Sequence, residues 1–452
     1  MTREGSLDAD GVLSHIDRGL VLDVAKELVN TPSPTGEEGA LATVLERIFR
    51  EVGCRSWQQQ IYGERSNVIG ELRGTGGGPT TLMSGHMDTS VRGDEEYLVG
   101  RGFKNSAVVE GERIYGNGVV NMKQALVSYV AAVDALQRAG VKLRGNIILA
   151  GTAGEIELAA VDEFQGKNFD AYGMGLRYLL IHGITADFQF LGEPTGHRVH
   201  IGMMGTIWAK ITTHGDFAHT AFSDHHVNAI EEMWSVWRGL DAWIEAHRES
   251  SSFMGVPALV NRAAVRGGLP WRAARTPNVC YAYVDVRFAP TTHPIDAQRE
   301  FTSAVGAAAA SCRYPVDVDY YMSRPGTLLP ADSPPVKAVT DAHRAVTGVS
   351  LEPRLSPPLC TDAIDANRLG VPTIVYGSGG IASSGVDPRA AEGESVTVGE
   401  MVTAAAVYAL AAIELDRLTP DEVVTARGPM PGVTLPREKS AEPSLAAGGR
   451  HP

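Results

Sequence analysis

Four short segments place polar side chains just after apolar runs, where the carboxyl ends of strands would present them. GHMDT carries His86 and Asp88. A His-x-Asp pair at a strand end suits a metal ligand whose ring is oriented by a neighbouring carboxylate, and equally an ordinary structural pair. YGNGVVNMK, punctuated by glycine, delivers Asn121 at the start of a helix, either as a side chain with chemistry to do or as an N-cap. GTAGEIE sets Glu155 and Glu157 after an apolar strand, as a general base or as solvated loop acids. FLGEPTG does the same with Glu193.

The elements needed to hold these groups alternate in type. Residues 15–50 read as two helices, followed by strand patterns through NVIGEL and TLMSGHMDT with a glycine-rich hairpin, RGTGGGP, between them. A long helix, NMKQALVSYVAAVDALQRAG, precedes the strand NIILAGTA. Strands alternating with helices predict an α/β fold, a mostly parallel sheet flanked by helices. The middle of the chain has another rhythm: TIWAKITTHG, a helix, VCYAYVDVRF, a further helix and VDVDYYM fit a small inserted α+β sandwich. Its first helix carries Ile230, Met233, Trp234, Trp237, Leu240 and Ile244 along one face, an apolar stripe for core or interface packing. The boundaries that follow are 1–202 and 323–426 for the two parts of the large domain, 203–322 for the insert, and 427–452 for a Pro- and Gly-rich tail expected to be disordered.

Composition narrows the function classes. Of 452 residues 44% are hydrophobic, enough for a large core, and 40 basic against 53 acidic side chains give a net charge of −13. Such a chain lacks the basic footprint for nucleic acid or an anionic membrane, so neither is an expected partner. Cys54, Cys280, Cys312 and Cys360 are widely spaced, with neither a disulfide framework nor a local zinc knuckle, which fits a reducing cytoplasm. The polar, acidic start does not read as a signal peptide, and no stretch reads as a membrane span. The expectation is a cytoplasmic protein.

Together, GHMDT, GNGVVNMKQAL, TAGEIE and LGEPTG, followed by GDFAHTAFSDHHVNAI, RGGLP, YVDVRFAP, CTDA and YGSGG, resemble the M20 family of metallopeptidases and aminoacylases. The resemblance covers nearly all the chain except the tail. It implies a zinc-exopeptidase-like catalytic domain, with the insert serving as a lid and dimerisation domain. In the family two divalent metals are held by a His, a bridging Asp, a Glu, a second acid and a C-terminal His. The matching positions here are His86, Asn121, Ile156, Glu193 and Ala390, the last placed by aligning Glu394. Asp88 matches the residue that orients the first His, and Glu155 the general base.

Three of the five ligand positions have therefore changed, and two of them, Ile156 and Ala390, belong to the same metal. The resemblance leaves one divalent metal, zinc or manganese, or none, held by His86, Glu193 and the Asn121 amide oxygen; Glu157 and Cys360, which the family pattern does not imply, are candidate helpers. His219 matches the residue that reaches the partner subunit's site and stabilises the oxyanion. Asn261, Arg287 and Arg324 fall in segments that resemble the lining of the family's carboxylate-binding cleft. The implied function is hydrolysis of an amide or other C–N bond of a small carboxylate-bearing molecule by a homodimer. A metal-independent elimination, cyclisation or deamination on the same scaffold, and a non-catalytic small-molecule-binding protein, are the alternatives.

Overall fold

The runs Thr81–His86 and Ile147–Thr152 are buried along their whole length, so the sheet they form must be covered on both faces. In the computed structural model, which describes residues 9–380 and 391–428, they are neighbours in a nine-stranded sheet. Its order is Arg55–Tyr62, Arg65–Leu72, Ile147–Thr152, Thr81–His86, Phe188–Leu191, Thr373–Val375, His200–Met203 and Thr327–Leu328, with Arg354–Leu355 beside His200–Met203. The four strands from Ile147–Thr152 to Thr373–Val375 run parallel. Helices Arg18–Asn30, Gly39–Glu51, Gln124–Arg138 and Val398–Asp416 cover one face around Phe49, Tyr129, Leu149 and Tyr408. Met174–Ile181 and Ala363–Arg368 cover the other, around Leu82, Leu176 and Val371.

Two readings of the sequence change. The expected hairpin at RGTGGGP does not form, because Ile147–Thr152 lies between Arg65–Leu72 and Thr81–His86. The hairpin is one element earlier, where Arg55–Tyr62 pairs antiparallel with Arg65–Leu72. That first strand is a largely exposed edge, so its polar SWQQQ segment gives no apolar signal. The second change concerns Val398–Asp416, which by length and composition alone is apolar enough to cross a membrane. It is mostly buried and packs against Gln124–Arg138 and Pro334–Thr347, as a core helix of an α/β layer does.

The small domain is a four-stranded antiparallel sheet in the order Val260–Gly267, Val279–Phe288, Gly205–His214, Asp317–Arg324. Helices Ala229–Gly239, Asp241–Ser250 and Pro294–Ala308 pack on it around Ile207, Met233, Val284, Phe288 and Phe301. The apolar stripe divides: Met233 and Leu240 enter this core with Val236, whereas Ile230 and Trp234 are exposed. The edge strand Val260–Gly267 is exposed along nearly its whole length. At the chain's end, Arg427 closes the helix Pro420–Arg427 and pairs with Asp187 at 3.1 Å. The rest of the expected tail, 429–452, lies outside the described residues, as does Ala390.

Candidate active site

Parallel strands deliver their carboxyl ends to one edge of the sheet, and the polar residues of the four segments gather there. His86 is the last residue of its strand. Glu155 follows the neighbouring strand after Gly154, whose φ of 66° bends the chain and whose Cα faces Arg65 too closely for a side chain. Glu193 follows Phe188–Leu191, and Asn121 sits in a wide turn, Val119–Lys123, leading into Gln124–Arg138. Asn121, Glu155 and Glu193 border a cavity of about 170 Å³, lined also by Glu157, Arg287 and Cys360 among others, with Tyr172 and His200 on its wall, while His86 is buried behind them.

His86 is fully buried, and its Nδ1 lies 2.9 Å from the Asp88 main-chain carbonyl. A carbonyl only accepts, so Nδ1 carries a proton. In the neutral ring Nε2 then presents its lone pair to Asn121 Oδ1 at 3.2 Å and Glu155 Oε2 at 3.7 Å, two residues that line the cavity. One ligand atom each from His86, Glu155 and Glu193 lie within 4.8 Å of one another, and Glu193 Oε1 is buried without a hydrogen-bond partner among the described residues. Facing acceptors with no donor between them suit a cation.

The Asp88 carboxylate does a different job from the one expected of it. It accepts from Thr35 Oγ1 at 2.9 Å and from the Glu155 and Ile156 amides at 3.0 and 3.1 Å, while its nearer oxygen stands 3.6 Å from His86 Nδ1. The ring is oriented by the main chain, and the carboxylate fixes the segment that carries Glu155. Ile156 is buried beside it, a branched alkyl group where the resemblance places an acidic ligand. Among the described residues, His86, Glu155 and Glu193 are the one group of His, Cys, Asp and Glu side chains close enough together to hold a metal ion.

Charge is concentrated here. Burial, then Glu193, Asp362 and Asp88, push the Glu155 carboxyl well above the usual range. Burial also raises Glu193, with Glu157 adding to the effect and His86 opposing it. Burial, then Asp365, pushes Asp362 up to about 7, and its Oδ1 has no hydrogen-bond partner among the described residues. Burial opposes charging of His86, yet Asp88, Glu193 and Asp362 raise its pKa. Every one of these shifts has the sign that a bound cation would relieve.

Two supports had no signal in the sequence beyond Glu394 serving as an alignment point. Glu394 is buried and accepts from the Val120 and Asn121 amides at 2.8 and 2.9 Å, clamping the turn that carries Asn121. Burial raises its carboxyl to about 7 and lowers the nearby Lys123 ammonium to about 7. Lys123 Nζ donates to the Leu28 and Thr31 carbonyls at 2.9 and 3.2 Å.

The small-domain residues divide. Arg287 and Arg324 lie on either side of Thr206 in the strand register. Arg287 reaches the cavity, held by Asp285 at 2.7 Å and donating to Cys360 Sγ at 2.9 Å. Arg324 lies behind that wall: it pairs with Asp365 at 2.5 Å, donates to the Thr361 carbonyl and stands 4.4 Å over the Tyr172 ring. Asn261 is on the exposed edge strand, opposite Asp285. His219 is exposed, its Nδ1 accepting from the Ala221 amide at 3.1 Å. Neither Asn261 nor His219 lines the cavity of its own chain.

The order of strands, the inserted antiparallel sheet and the carboxyl-edge cluster define an α/β scaffold with polar groups gathered at one end of its parallel strands. Residues 82–414 match peptidase family M20/M25/M40, and the chain belongs to that family of hydrolytic enzymes. It is 27% identical over 230 residues to a succinyl-diaminopimelate desuccinylase from Parvibaculum lavamentivorans, a match that covers 49% of this chain and 55% of that one. Against the enzyme of the same name from Acidiphilium cryptum, identity is 26% over 395 residues, 85% of this chain and 95% of that one. The crystal structure of a tripeptidase from Staphylococcus aureus superposes with a TM-score of 0.71 at 17% identity, covering 89% of this chain and 100% of that one, and so shares the fold.

Proposed function

We propose that the protein hydrolyses an amide or other C–N bond of a small carboxylate-bearing molecule at the cavity beside His86, with one divalent ion. The carrying observation is the convergence of His86 Nε2, Asn121 Oδ1, Glu155 Oε2 and the unpartnered Glu193 Oε1. His86, Glu193 and Asn121 would hold zinc or manganese, and the ion would supply Lewis acidity to the substrate carbonyl and to water. Glu155 takes the proton from the attacking water as oxygen bonds to the carbonyl carbon, then returns it to the nitrogen as the C–N bond breaks. Arg287, at the cavity wall, orients the substrate carboxylate through its fork. Arg324 holds Tyr172 and the Thr361 segment in place behind it.

His219 completes the site from a second copy, where it stabilises the oxyanion. The exposed edge strand Val260–Gly267 beside exposed Trp234 and Trp271 on the same small domain supports a homodimer. The test is a panel of N-acyl amino acids assayed for amine release, with metal content by mass spectrometry and oligomeric state by sedimentation. Turnover of at least one such substrate, about one ion per subunit and a dimer are expected. No hydrolysis across the panel after metal supplementation would overturn the reading.

A further inference from the structure

Beside the acidic cavity lies a second one of about 590 Å³ with the opposite character. Pro194, Thr195 and His200 line both cavities, so the two adjoin along the segment that carries Glu193. Arg198 and Arg354 supply its charge, Met254 and Leu355 its apolar wall, and no carboxylate is among its described lining residues. In the strand register Arg354 is the direct partner of His200. Arg198 follows His197, whose φ of 59° turns the chain, and its amide donates to the Thr195 carbonyl at 3.3 Å.

Neither guanidinium has a carboxylate partner among the described residues, whereas Arg65, Arg287 and Arg324 are each committed to one. In a chain with 53 acidic and 40 basic side chains, two arginines at one cavity without a carboxylate partner among the described residues are not explained by a surplus of cations. His200 between them is buried, and burial followed by the two arginines lowers its imidazole to about 4. The ring is therefore neutral at physiological pH and neither adds to nor competes with the arginines.

We propose that Arg198 and Arg354 form a subsite for a second carboxylate of the substrate, at the end remote from the bond that is cleaved. The substrate class is then a dicarboxylate whose aliphatic spacer runs from the acidic cavity along Met254 and Leu355. This deepens the proposed function and rests on its placement of the scissile bond beside Glu155. Arginine suits the role because its planar fork matches a carboxylate, and hydrogen bonds to charged groups are worth roughly a tenfold change in affinity or more.

The experiment is calorimetric binding of glutarate, butyrate and inorganic phosphate to the purified full chain, the Arg198→Gln and Arg354→Gln variants and their double variant. Both side chains are exposed, and an unchanged melting temperature confirms that the variants fold. Wild type is expected to prefer glutarate over butyrate, and that preference is expected to fall about tenfold for each arginine removed. Arg198→Glu, which reverses the charge, is expected to abolish it. An equal preference in wild type and the double variant, or arginine-dependent binding of phosphate without glutarate, overturns the subsite. Binding needs no turnover, so failure of the subsite and failure of the hydrolase reading are read separately.

Discussion

Replacing Glu155 by Gln separates a general base from a metal ligand. The backbone amide of residue 155 is held by Asp88 at 3.0 Å, so glutamine keeps the shape and place of the side chain and loses its charge and basicity. The nearer Glu155 oxygen lies 3.7 Å from His86 Nε2, while Asn121 Oδ1 lies 3.2 Å from the same atom and Glu193 is independently in reach. Those three groups are untouched by the change, so the ion is expected to stay at wild-type stoichiometry. Loss of a positioned base lowers kcat by about 10²–10⁴-fold, about 3–5 kcal/mol in the barrier. The assay is the initial rate of amine release from the best N-acyl substrate, with metal content measured on the same sample. Glu157→Gln removes a carboxylate from the same cavity and is expected to lower the rate by less than about tenfold. An undiminished rate in Glu155→Gln would refute the base. Loss of the ion together with the rate would place Glu155 in the metal shell and refute the ligand set His86, Asn121 and Glu193.

Asn121→Asp puts a full negative charge 3.2 Å from His86 Nε2 and is expected to tighten zinc binding about tenfold, roughly 1.4 kcal/mol, in a chelator competition titration; unchanged affinity removes residue 121 from the shell. Asp88→Ala leaves two amides and the Thr35 hydroxyl without their acceptor in a fully buried place and is expected to destabilise by about 3 kcal/mol or more in urea unfolding, whereas a loss below about 1 kcal/mol would show that water replaces it. His200→Gln tests a pH dependence whose sign is fixed by the fall of the imidazole from 6.5 to about 4. The unfolded chain takes up a proton below 6.5 that the folded chain resists, so wild type loses stability as pH falls toward 4. Between pH 7 and pH 4.5 it is expected to lose about 2–3 kcal/mol more than His200→Gln, and parallel losses would refute the buried neutral ring.

What the sequence makes legible and what it hides follow from the same physics. An apolar run that ends in a polar residue is a local signal, so His86, Glu155 and Glu193 could be found one segment at a time, and the parallel sheet brings their strand ends together. The edge strand Arg55–Tyr62 carries no such signal because its neighbour covers only one side of it. Glu394 and Asn121 are 273 residues apart, and nothing local to AAEGES shows that its glutamate caps the amides of a distant turn. Arg198 and Arg354 are likewise single arginines in separate segments until the register sets Arg354 beside His200. The metal site shows the sharpest limit. A sequence counts donor side chains and their charges, and by that count Asn121 and Ile156 weaken the site. Which nitrogen of His86 faces Asn121 and Glu155 is decided by the main-chain carbonyl of Asp88, a group that every residue possesses and no motif encodes. With Nδ1 tied there, the free Nε2 joins Asn121 and Glu193 as neutral, neutral and anionic donors. On the proposed function a single ion would be held there, although the charge for two is gone.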